Sequence, residues 1–269
     1  MIFEMNRFHS FEFTDQRWLP ERFRHYLTDL LQYHLDEDGT YDVVLPILSR
    51  VLAQRPERPL LDLCSGSSGP WRRWVAEKKV DTRTVTLTDK FPASFQRRAG
   101  SMPPGLTVHS LAVDALHIPS SLEGDLTFFT CFHHFKPDEA VSILKQAVTQ
   151  GRSICVFEFT QRKLSTLFGM LFSPLVVLVL TFRIRPLSMA RIFWTCIVPV
   201  VPLIYVWDAF VSHLRTYTVE ELSNMHGAFE NDYHWECGTL PVPATGQKVS
   251  YLVGYAKGAK EGVPEFVGS

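Results

Sequence analysis

The sequence predicts an α/β protein with a doubly wound, mostly parallel seven-stranded sheet. Between residues 60 and 160, runs rich in β-forming residues alternate with helical patterns. That alternation is typical of a parallel sheet with helices on both faces. Near the end of the chain, two further β-rich runs are joined by a turn containing Pro and Gly, which predicts a C-terminal antiparallel hairpin.

The third observation behind this fold class is the stretch around which the chain is organised. Residues 60–71 read LLDLCSGSSGPW, and three of the first four are Leu, as in a strand buried on both faces. Gly66 and Gly69 follow, and glycines let the backbone turn tightly and approach a ligand. A helical pattern begins at Trp71. Strand, small-residue loop and helix in this order predict a nucleotide-type site at the carboxyl edge of the sheet.

Composition and charge narrow the class of protein. A chain of 269 residues with 46% apolar and 20% charged residues can bury a sizeable core. A net charge of -1, without a basic stripe interleaved with aromatics, argues against a nucleic-acid partner. The cysteines include no CxxC pair, which fits a reducing compartment and argues against disulfides or a zinc site, so no metal is expected. They are Cys64, Cys131, Cys155, Cys196 and Cys237.

Residues 1–58 predict an N-terminal arm and two cap helices. Residues 1–20 carry aromatics among charges, typical of an arm packed on the body of the protein. From Pro20, apolar residues recur with helical spacing on one stripe. A second helical run, YDVVLPILSRVLAQ, follows the turn at residues 36–39. Two helices ahead of the first strand would cover the site at its end.

Residues 59–163 predict the ligand-binding core. The run TVTLTD ends in Asp89, which lies 20 residues beyond Gly69. At that spacing an acid meets ribose hydroxyls in doubly wound folds. A third strand is followed by Asp114 and Ala115, and the fourth, DLTFFTCFHHF, runs into a polar turn. A helix that ends at Gly151 and a fifth strand, SICVFEFT, complete this part.

Residues 164–207 form an apolar insertion after the fifth strand. Two uncharged segments, 164–182 and 192–207, flank a basic hinge with Arg183, Arg185 and Arg191. Both are slightly shorter than the roughly 20 residues that span a bilayer. Two full spans would put the hinge across the membrane from a cytosolic domain, against the positive-inside tendency. A shallow or re-entrant helical hairpin with arginines at the headgroups avoids this. The other reading is an apolar lid or dimer interface.

Residues 208–269 are predicted to form a helix and two strands that complete the core domain. Thr218 and Glu221 have the spacing of a capping box, which predicts a helix start. The runs YHWECGTL and VSYLVGYA then supply the two strands of the closing hairpin.

With these residues in place, the chain resembles the class I S-adenosylmethionine (SAM)-dependent methyltransferases, which have a Rossmann-like fold. LDLCSGSSG resembles the first motif of that family, and FFTCFHHF resembles its strand-four motif. The resemblance covers roughly residues 60–160 and 218–257, leaving the apolar insertion outside. Two departures are Cys64 and Ser68, which stand where the family usually has glycines. A NAD-binding domain is the alternative for the loop alone, because CSGSSG differs from GxGxxG only at its first position.

The resemblance implies SAM as cofactor and assigns its contacts. Backbone at Gly66 would lie against the methionyl part, Asp89 would accept from the ribose hydroxyls, and Asp114 from the adenine amine. Phe91 could stack on the adenine. The full set of implied cofactor positions is Asp62, Cys64, Gly66, Ser67, Asp89, Phe91, Asp114, Ala115 and Cys131.

Three residues are candidates for catalysis. His133 and His134 follow the fourth strand, at the edge where ligands bind, and an imidazole titrates near neutrality, as a general base must. The alternative is that one His packs or caps, since methyl transfer needs mainly an in-line approach. Asp208 directly follows the apolar insertion.

These features predict a methyltransferase for a hydrophobic small molecule or lipid-like acceptor, at the cytoplasmic face of a membrane. Membrane lipid is the expected partner, and a homo-oligomer is possible in principle. The alternatives are a cytoplasmic small-molecule methyltransferase, and a SAM-binding membrane scaffold without activity.

Overall fold

A computed structural model describes residues 5–80, 84–93, 102–229, 233–243 and 245–257. Within them, a seven-stranded sheet has the order β3-β2-β1-β4-β5-β7-β6. The first five strands pair in parallel, and β7 lies antiparallel between β5 and β6. The predicted doubly wound sheet with a closing antiparallel hairpin is confirmed. The strands are β1 (Leu60–Leu63), β2 (Val85–Leu87), β3 (Leu106–Val108), β4 (Asp125–Phe129), β5 (Ile154–Glu158), β6 (Tyr233–Pro241) and β7 (Lys248–Ala256).

Helices lie on both faces of this sheet and above its carboxyl edge. Three short 3-10 turns, Thr40–Val44, Phe132–His134 and Gly227–Phe229, accompany them in the described residues. The α-helices there are α1 (Glu21–Asp38), α2 (Leu45–Ala53), α3 (Trp71–Ala76), α4 (Pro137–Thr149), α5 (Leu164–Met170), α6 (Ser173–Thr181), α7 (Met189–Ile192), α8 (Val200–Arg215) and α9 (Val219–His226). A π-helical turn, Phe193–Ile197, follows α7 directly.

The two faces of the sheet carry separate cores. On one face, α2 and α3 pack against β1, β4 and β5 through Leu48, Trp71, Trp74 and Phe157. On the other face, α4 and α9 cover alternate residues of the same strands, including Phe128. Each buried strand therefore uses both of its faces, as a continuous apolar run predicts.

The predicted cap helices are present, with a different start for the second one. The run beginning at Tyr41 first forms the 3-10 turn, and α2 begins only at Leu45, with Pro46 in its first turn. Proline lacks an amide hydrogen and is favoured at that position. Helix α1 ends at Gly39, whose φ of 58° is the left-handed conformation that glycine adopts readily.

The apolar insertion is broken into more pieces than the predicted helical hairpin. Helices α5 and α6 cover the first segment, and α7 with its π turn and α8 cover the second. Pro174 and Pro199 lie at the starts of α6 and α8, where a helix tolerates proline. The proposed boundary after residue 207 falls inside α8, which runs on to Arg215. Helix α8 therefore links the insertion to the core.

The basic hinge also differs from its prediction. Arg183 and Arg185 are exposed, whereas Arg191 is buried and pairs with Asp29 of α1 at 3.3 Å. Arg191 therefore does not reach toward lipid headgroups. A third core joins α1, α6 and α8 through apolar side chains that include Leu27, Val177 and Val201.

Among the described residues, no single helix is both long and apolar enough to cross a membrane. Two bent pairs meet the length and composition together: α5 with α6, bent by 46°, and the helix 189–197 with α8, bent by 72°.

Candidate functional site

The loop after β1 has the backbone of a glycine loop at four positions. Cys64, Gly66, Ser68 and Gly69 have φ values of 55°, 58°, 142° and 52°. Cys64 and Ser68 thus adopt positive φ although they carry a Cβ, at the positions where the resemblance expects glycine. A Cβ added at Gly66 would meet nothing within 4 Å, so the loop borders open space there.

The loop is held from above by the cap helix α1. The Gln32 side chain donates to the Gly69 carbonyl at 2.9 Å and accepts from the Ser68 hydroxyl at 3.1 Å. Gln32 and Ser68 are both buried. Helix α1 therefore fixes the far end of the loop in its strained conformation.

The two carboxylate oxygens of Asp62, in β1, differ in their hydrogen bonding. Its Oδ1 accepts from the Thr127 hydroxyl at 2.6 Å, while its buried Oδ2 has no hydrogen-bond partner among the described residues. Burial raises the pKa of Asp62 to about 6, although the nearby donors of Ser65, Thr127 and Trp71 oppose the change. A buried unpaired oxygen beside a glycine loop fits a donor group on a ligand.

Asp89, after β2, ties the neighbouring loops together. Its Oδ2 accepts from the Gly66 amide at 2.9 Å and its Oδ1 from the Phe91 amide at 2.7 Å. Its carbonyl accepts from the Val113 amide at 2.9 Å, which brings in the loop after β3. Burial raises the pKa of Asp89, although these amide hydrogen bonds oppose the change.

The Phe91 ring is covered on one side by the cap helix. The guanidinium of Arg24 lies 3.9 Å from the ring centroid, and its donors bind the carbonyls of Thr14 and Gln16. A cation over a ring face is attracted by the ring electrons. Arg24 thus joins the N-terminal arm to the loops after β1, β2 and β3. These loops, which carry the predicted cofactor residues, are called the cofactor half of the site.

Asp114 lies on the next loop of the same edge. It pairs with Lys90 at 3.0 Å and accepts from the Leu116 amide at 3.1 Å. Burial alone would raise the pKa of Asp114, but the hydrogen bond from Leu116 and the Lys90 ammonium lower it overall. Ala115 beside it is buried.

The remaining predicted cofactor positions line the loop after β1 and the end of β4. Ser67 and Cys131 are buried. The Cys131 thiol lies 3.5 Å from the Leu63 carbonyl and close to Cys64, and burial raises its pKa. The structure therefore brings all nine predicted cofactor residues to one edge of the sheet.

His133 forms a buried dyad with Glu158 at the end of β5. Its Nδ1 lies 2.9 Å from Glu158 Oε2, and its amide donates to Glu158 Oε1 at 3.1 Å. Burial would raise the pKa of Glu158, but the ring of His133 beside it and the hydrogen bonds from His133 lower it overall. Because the ionised carboxylate accepts from Nδ1, the lone pair of the neutral ring is on Nε2. That Nε2 is buried and has no hydrogen-bond partner among the described residues.

His134 is held in an ion-pair network with the N-terminal arm. Its Nδ1 lies 2.9 Å from Asp15 Oδ1, and its Nε2 lies 3.7 Å from Glu12 Oε2. Burial lowers the pKa of His134, but the carboxylates of Glu12 and Asp15 raise it to about 10 overall. A ring that is protonated at neutral pH cannot accept a proton, so these contacts argue against His134 as the general base.

Asp208, predicted as a catalytic candidate, instead binds the arm. Its carboxylate accepts from the Phe13 amide at 2.7 Å and from the Thr14 amide and hydroxyl at 3.0 and 2.9 Å. Burial raises the pKa of Asp208 to about 6, and Glu12 adds to the effect. With both oxygens engaged by the backbone of the arm, its geometry favours a positioning role.

Reasoning from the sequence missed two residues of this network, Glu12 and Asp15, whereas Arg215 was expected near the pocket in a structural role. Arg215 pairs with both carboxylates at 3.1 Å and binds the Ser10 carbonyl. These contacts join residues about 200 positions apart, so no local pattern could indicate them. The available signal was the presence of acids within an aromatic arm.

Comparisons with known proteins agree with this architecture. No protein-family model matches the chain, and no curated protein sequence matches it. Among solved structures, plantazolicin methyltransferase BpumL, in complex with a triazolic analog and SAH, has 10% identity and a TM-score of 0.53. The match covers 88% of this chain and 99% of that one.

Two further solved structures share the arrangement. An O-methyltransferase family 2 protein from Planctomyces limnophilus DSM 3776, in complex with apigenin, has 14% identity and a TM-score of 0.51, over 88% of this chain and 61% of that one. An O-methyltransferase from neocarzinostatin biosynthesis, in complex with SAM and a naphthoic acid, has 14% identity and a TM-score of 0.50, over 85% and 56%. The chain has the class I methyltransferase fold, which confirms the fold that the resemblance implied.

Proposed function

We propose that the protein is a SAM-dependent methyltransferase. The observation that carries the proposal is the edge formed by β1 and β2. There Asp89 holds the Gly66 amide beside open space, and a buried oxygen of Asp62 has no hydrogen-bond partner in the described residues. SAM combines a ribose diol with a cationic methionyl end, and this edge offers carboxylates for both. When bound, SAM supplies an electrophilic methyl group.

The chain's own residues would divide the cofactor between them. Asp89 accepts from the ribose hydroxyls and Asp114 from the adenine amine. The free Oδ2 of Asp62 accepts from the methionyl ammonium, and Gly66 lets that part approach the backbone. The side chains of Cys64, Ser67, Ala115 and Cys131 line the pocket, and Phe91 offers the adenine the side of its ring that Arg24 leaves open.

The acceptor is proposed to be a hydrophobic small molecule. An open apolar groove of about 490 Å³ lies between the arm, α1 and α8, with Trp18, Phe23 and Leu203 in its walls. Phe13 of the arm, whose amide donates to Asp208, is part of its wall. The structural neighbours crystallised with apigenin and a naphthoic acid support this class of acceptor.

A hydroxyl acceptor must lose a proton during transfer, and we assign that step to His133. Its buried Nε2 has no hydrogen-bond partner within the described part of the chain, and Glu158 fixes the ring through Nδ1. The acceptor oxygen forms its bond to the methyl carbon as the sulfur–methyl bond breaks and its electron pair returns to sulfur. The proton of the oxygen passes to His133 Nε2.

We further propose that the apolar insertion docks on the cytoplasmic face of a membrane. Leu164, Phe168, Leu171, Phe172, Leu175, Val176, Val179, Phe182, Leu187, Met189, Phe193, Ile197, Leu203 and Trp207 expose their side chains on α5–α8 and the segments between them. Residues 164–207 contain no Asp, Glu or Lys, and the exposed Arg183 and Arg185 complement anionic headgroups. Exposed apolar patches of this size mark interaction sites.

The activity is tested with methyl-labelled SAM and a panel of phenols, quinols, lipids, peptides and RNA. The expected result is label in an organic-soluble product with the wild type, and roughly ten- to hundredfold less with Asp89→Ala when SAM is below saturation. Turnover only with peptides or RNA would contradict the hydrophobic acceptor. SAH binding without turnover of any acceptor would favour the scaffold alternative.

Membrane docking is tested by co-sedimentation with phosphatidylglycerol and phosphatidylcholine vesicles. The wild type is expected to bind the anionic vesicles, and Leu175→Glu with Val179→Glu to abolish most of that binding. Leu111→Glu is the matched control, because Leu111 is also exposed but lies outside the insertion. A dimer in solution that ignores both vesicles would instead assign this face to a second copy, and a monomer that ignores both would leave it a lid.

A further inference from the structure

Two histidines and one carboxylate meet where the N-terminal arm crosses the turn after β4. Ligand-type atoms of Glu12, His133 and His134 all lie within 4.8 Å of one another. The Nε2 atoms of His133 and His134 each lie 3.7 Å from an oxygen of Glu12, which is beyond hydrogen-bond distance. The three side chains thus converge without bonding to one another.

Each imidazole is oriented by a second carboxylate behind it. Glu158 binds His133 Nδ1 at 2.9 Å, and Asp15 binds His134 Nδ1 at 2.9 Å. Histidines that bind metals almost always give their other ring nitrogen to a carboxylate or carbonyl, which fixes the ring and its free lone pair. Here both rings have this arrangement, and both free nitrogens face Glu12. A general base would need only one such ring.

The charges around the two rings leave room for a dication. Glu12, Asp15 and Glu158 contribute three negative charges, and Arg215, paired with Glu12 and Asp15, contributes one positive charge. With neutral imidazoles the cluster carries a net charge of two units negative. Two ring protons would neutralise it, one of them the proton that His134 carries in the metal-free protein, or one divalent ion that displaces them. The buried His133 Nε2, which has no hydrogen-bond partner among the described residues, is the observation that favours the ion, because its lone pair faces a carboxylate rather than a donor.

We propose that Glu12, His133 and His134 bind a divalent first-row transition metal ion. Imidazole with one carboxylate suits Fe²⁺, Mn²⁺, Co²⁺ or Zn²⁺, and two histidines with one carboxylate leave coordination positions open. Closing the ligand atoms onto an ion requires each to move by about 1 Å or less, within the reach of small side-chain rotations, since metal–nitrogen distances are about 2.1 Å.

The catalytic consequence rests on the proposed function, whereas metal binding does not. An acceptor hydroxyl at an open position would lose its proton more readily, because a metal ion stabilises the oxyanion. His133 would then be a ligand rather than the proton acceptor. The arm residue Glu12 would complete the site, so the arm must be in place for the ion to bind.

The test is titration of the chelator-treated full chain with Co²⁺, following visible absorption and the bound metal at equilibrium. One Co²⁺ per chain is expected for the wild type. Glu12→Gln and His134→Gln should bind it at least about tenfold more weakly, and Asp15→Asn about ten- to a hundredfold more weakly. His234→Gln is the control, because that imidazole is exposed on β6 and contacts only the Tyr255 ring, at 5.0 Å between centroids, among the ring contacts of the described residues.

No saturable Co²⁺ binding by the wild type would overturn the proposal, as would equal binding by Glu12→Gln and His134→Gln. SAH titration of each variant separates local loss from misfolding, and Asp15→Asn leaves all three ligands in place. A wild type that binds SAH but no Co²⁺ refutes the metal site alone. One that binds Co²⁺ but no SAH refutes the proposed function and leaves the metal site standing.

Discussion

The two halves of the candidate site are built by different means. In the cofactor half, contacts join residues that are close in the sequence: Gly66 to Asp89 over 23 positions and Asp62 to Thr127 over 65. In the half that carries His133 and His134, the arm reaches α8 over about 200 positions, as between Glu12 and Arg215. Backbone amides organise the first half, whereas buried charged side chains organise the second.

Because of this difference, substitutions in the two halves should have different effects. A backbone loop keeps its shape when one neighbouring side chain is changed, so substitutions in the cofactor half should act mainly on affinity. A buried charge that loses its partner leaves the other charge uncompensated. Substitutions in the arm half should therefore act on catalysis and on stability.

The largest effect is expected for His133→Gln. The variant loses the group that accepts the proton of the acceptor hydroxyl or, in the alternative role, binds the proposed metal ion. The value of kcat should therefore fall by roughly 10²–10⁴-fold. SAH affinity should stay within about threefold of wild type, because the cofactor half is intact. Steady-state kinetics and SAH titration measure both, with His234→Gln as control. An unchanged kcat would remove His133 from the mechanism.

The next effect is on stability, at the buried pair between α1 and α7. Arg191→Met leaves Asp29 without this guanidinium, and the free energy of unfolding should fall by about 3–5 kcal/mol. Arg183→Met, at an exposed position of the same hinge, should change it by at most about 0.5 kcal/mol. Denaturant unfolding measures the two. Equal losses would mean that burial of the pair is unimportant.

Asp89→Ala should weaken SAH without abolishing the fold. A carboxylate that accepts from a ligand hydroxyl contributes about 1.5–3 kcal/mol, which corresponds to roughly a ten- to hundredfold loss of affinity. Calorimetric titration gives the value, and thermal unfolding checks the fold. An affinity within about twofold of wild type would contradict the assignment of Asp89 to the ribose.

The smallest effect concerns pH and Asp62. Its pKa of about 6 means that the carboxylate is largely neutral at pH 5 and largely ionised at pH 7. SAH should therefore bind up to about tenfold more tightly at pH 7 than at pH 5. Asp62→Asn should flatten this dependence. Asp114→Asn should retain it, because the pKa of the wild-type Asp114 is already lowered and this carboxylate does not titrate between pH 5 and pH 7. A pH profile that is identical in Asp62→Asn would reject the contact.

The raised pKa of Asp62 also makes the free energy of unfolding depend on pH. The folded protein holds the Asp62 proton more tightly than the unfolded chain does, because the pKa is raised from 3.8 to about 6. The contribution of this group to the free energy of unfolding therefore falls as pH rises from about 4 to about 6, and it is constant above that range.

The sequence predicted the cofactor half well because its signals are local. Glycine spacing, the acid after each strand and the alternation of strands and helices all follow from backbone constraints within about thirty residues. It was wrong for Arg191 and did not indicate the contacts of Asp208, because the partners Asp29, Phe13 and Thr14 are far away in the chain. Charge and hydropathy place a residue at a surface or in a core, but they cannot name a distant partner.

The measurement that tests the central claim most directly is calorimetric titration of the full chain with SAH and, separately, with NAD⁺. The account predicts one SAH per chain, weakened by Asp89→Ala, and no saturable binding of NAD⁺. Binding of NAD⁺ in preference to SAH, or of neither, would contradict the assignment of the glycine loop and Asp89 to SAM.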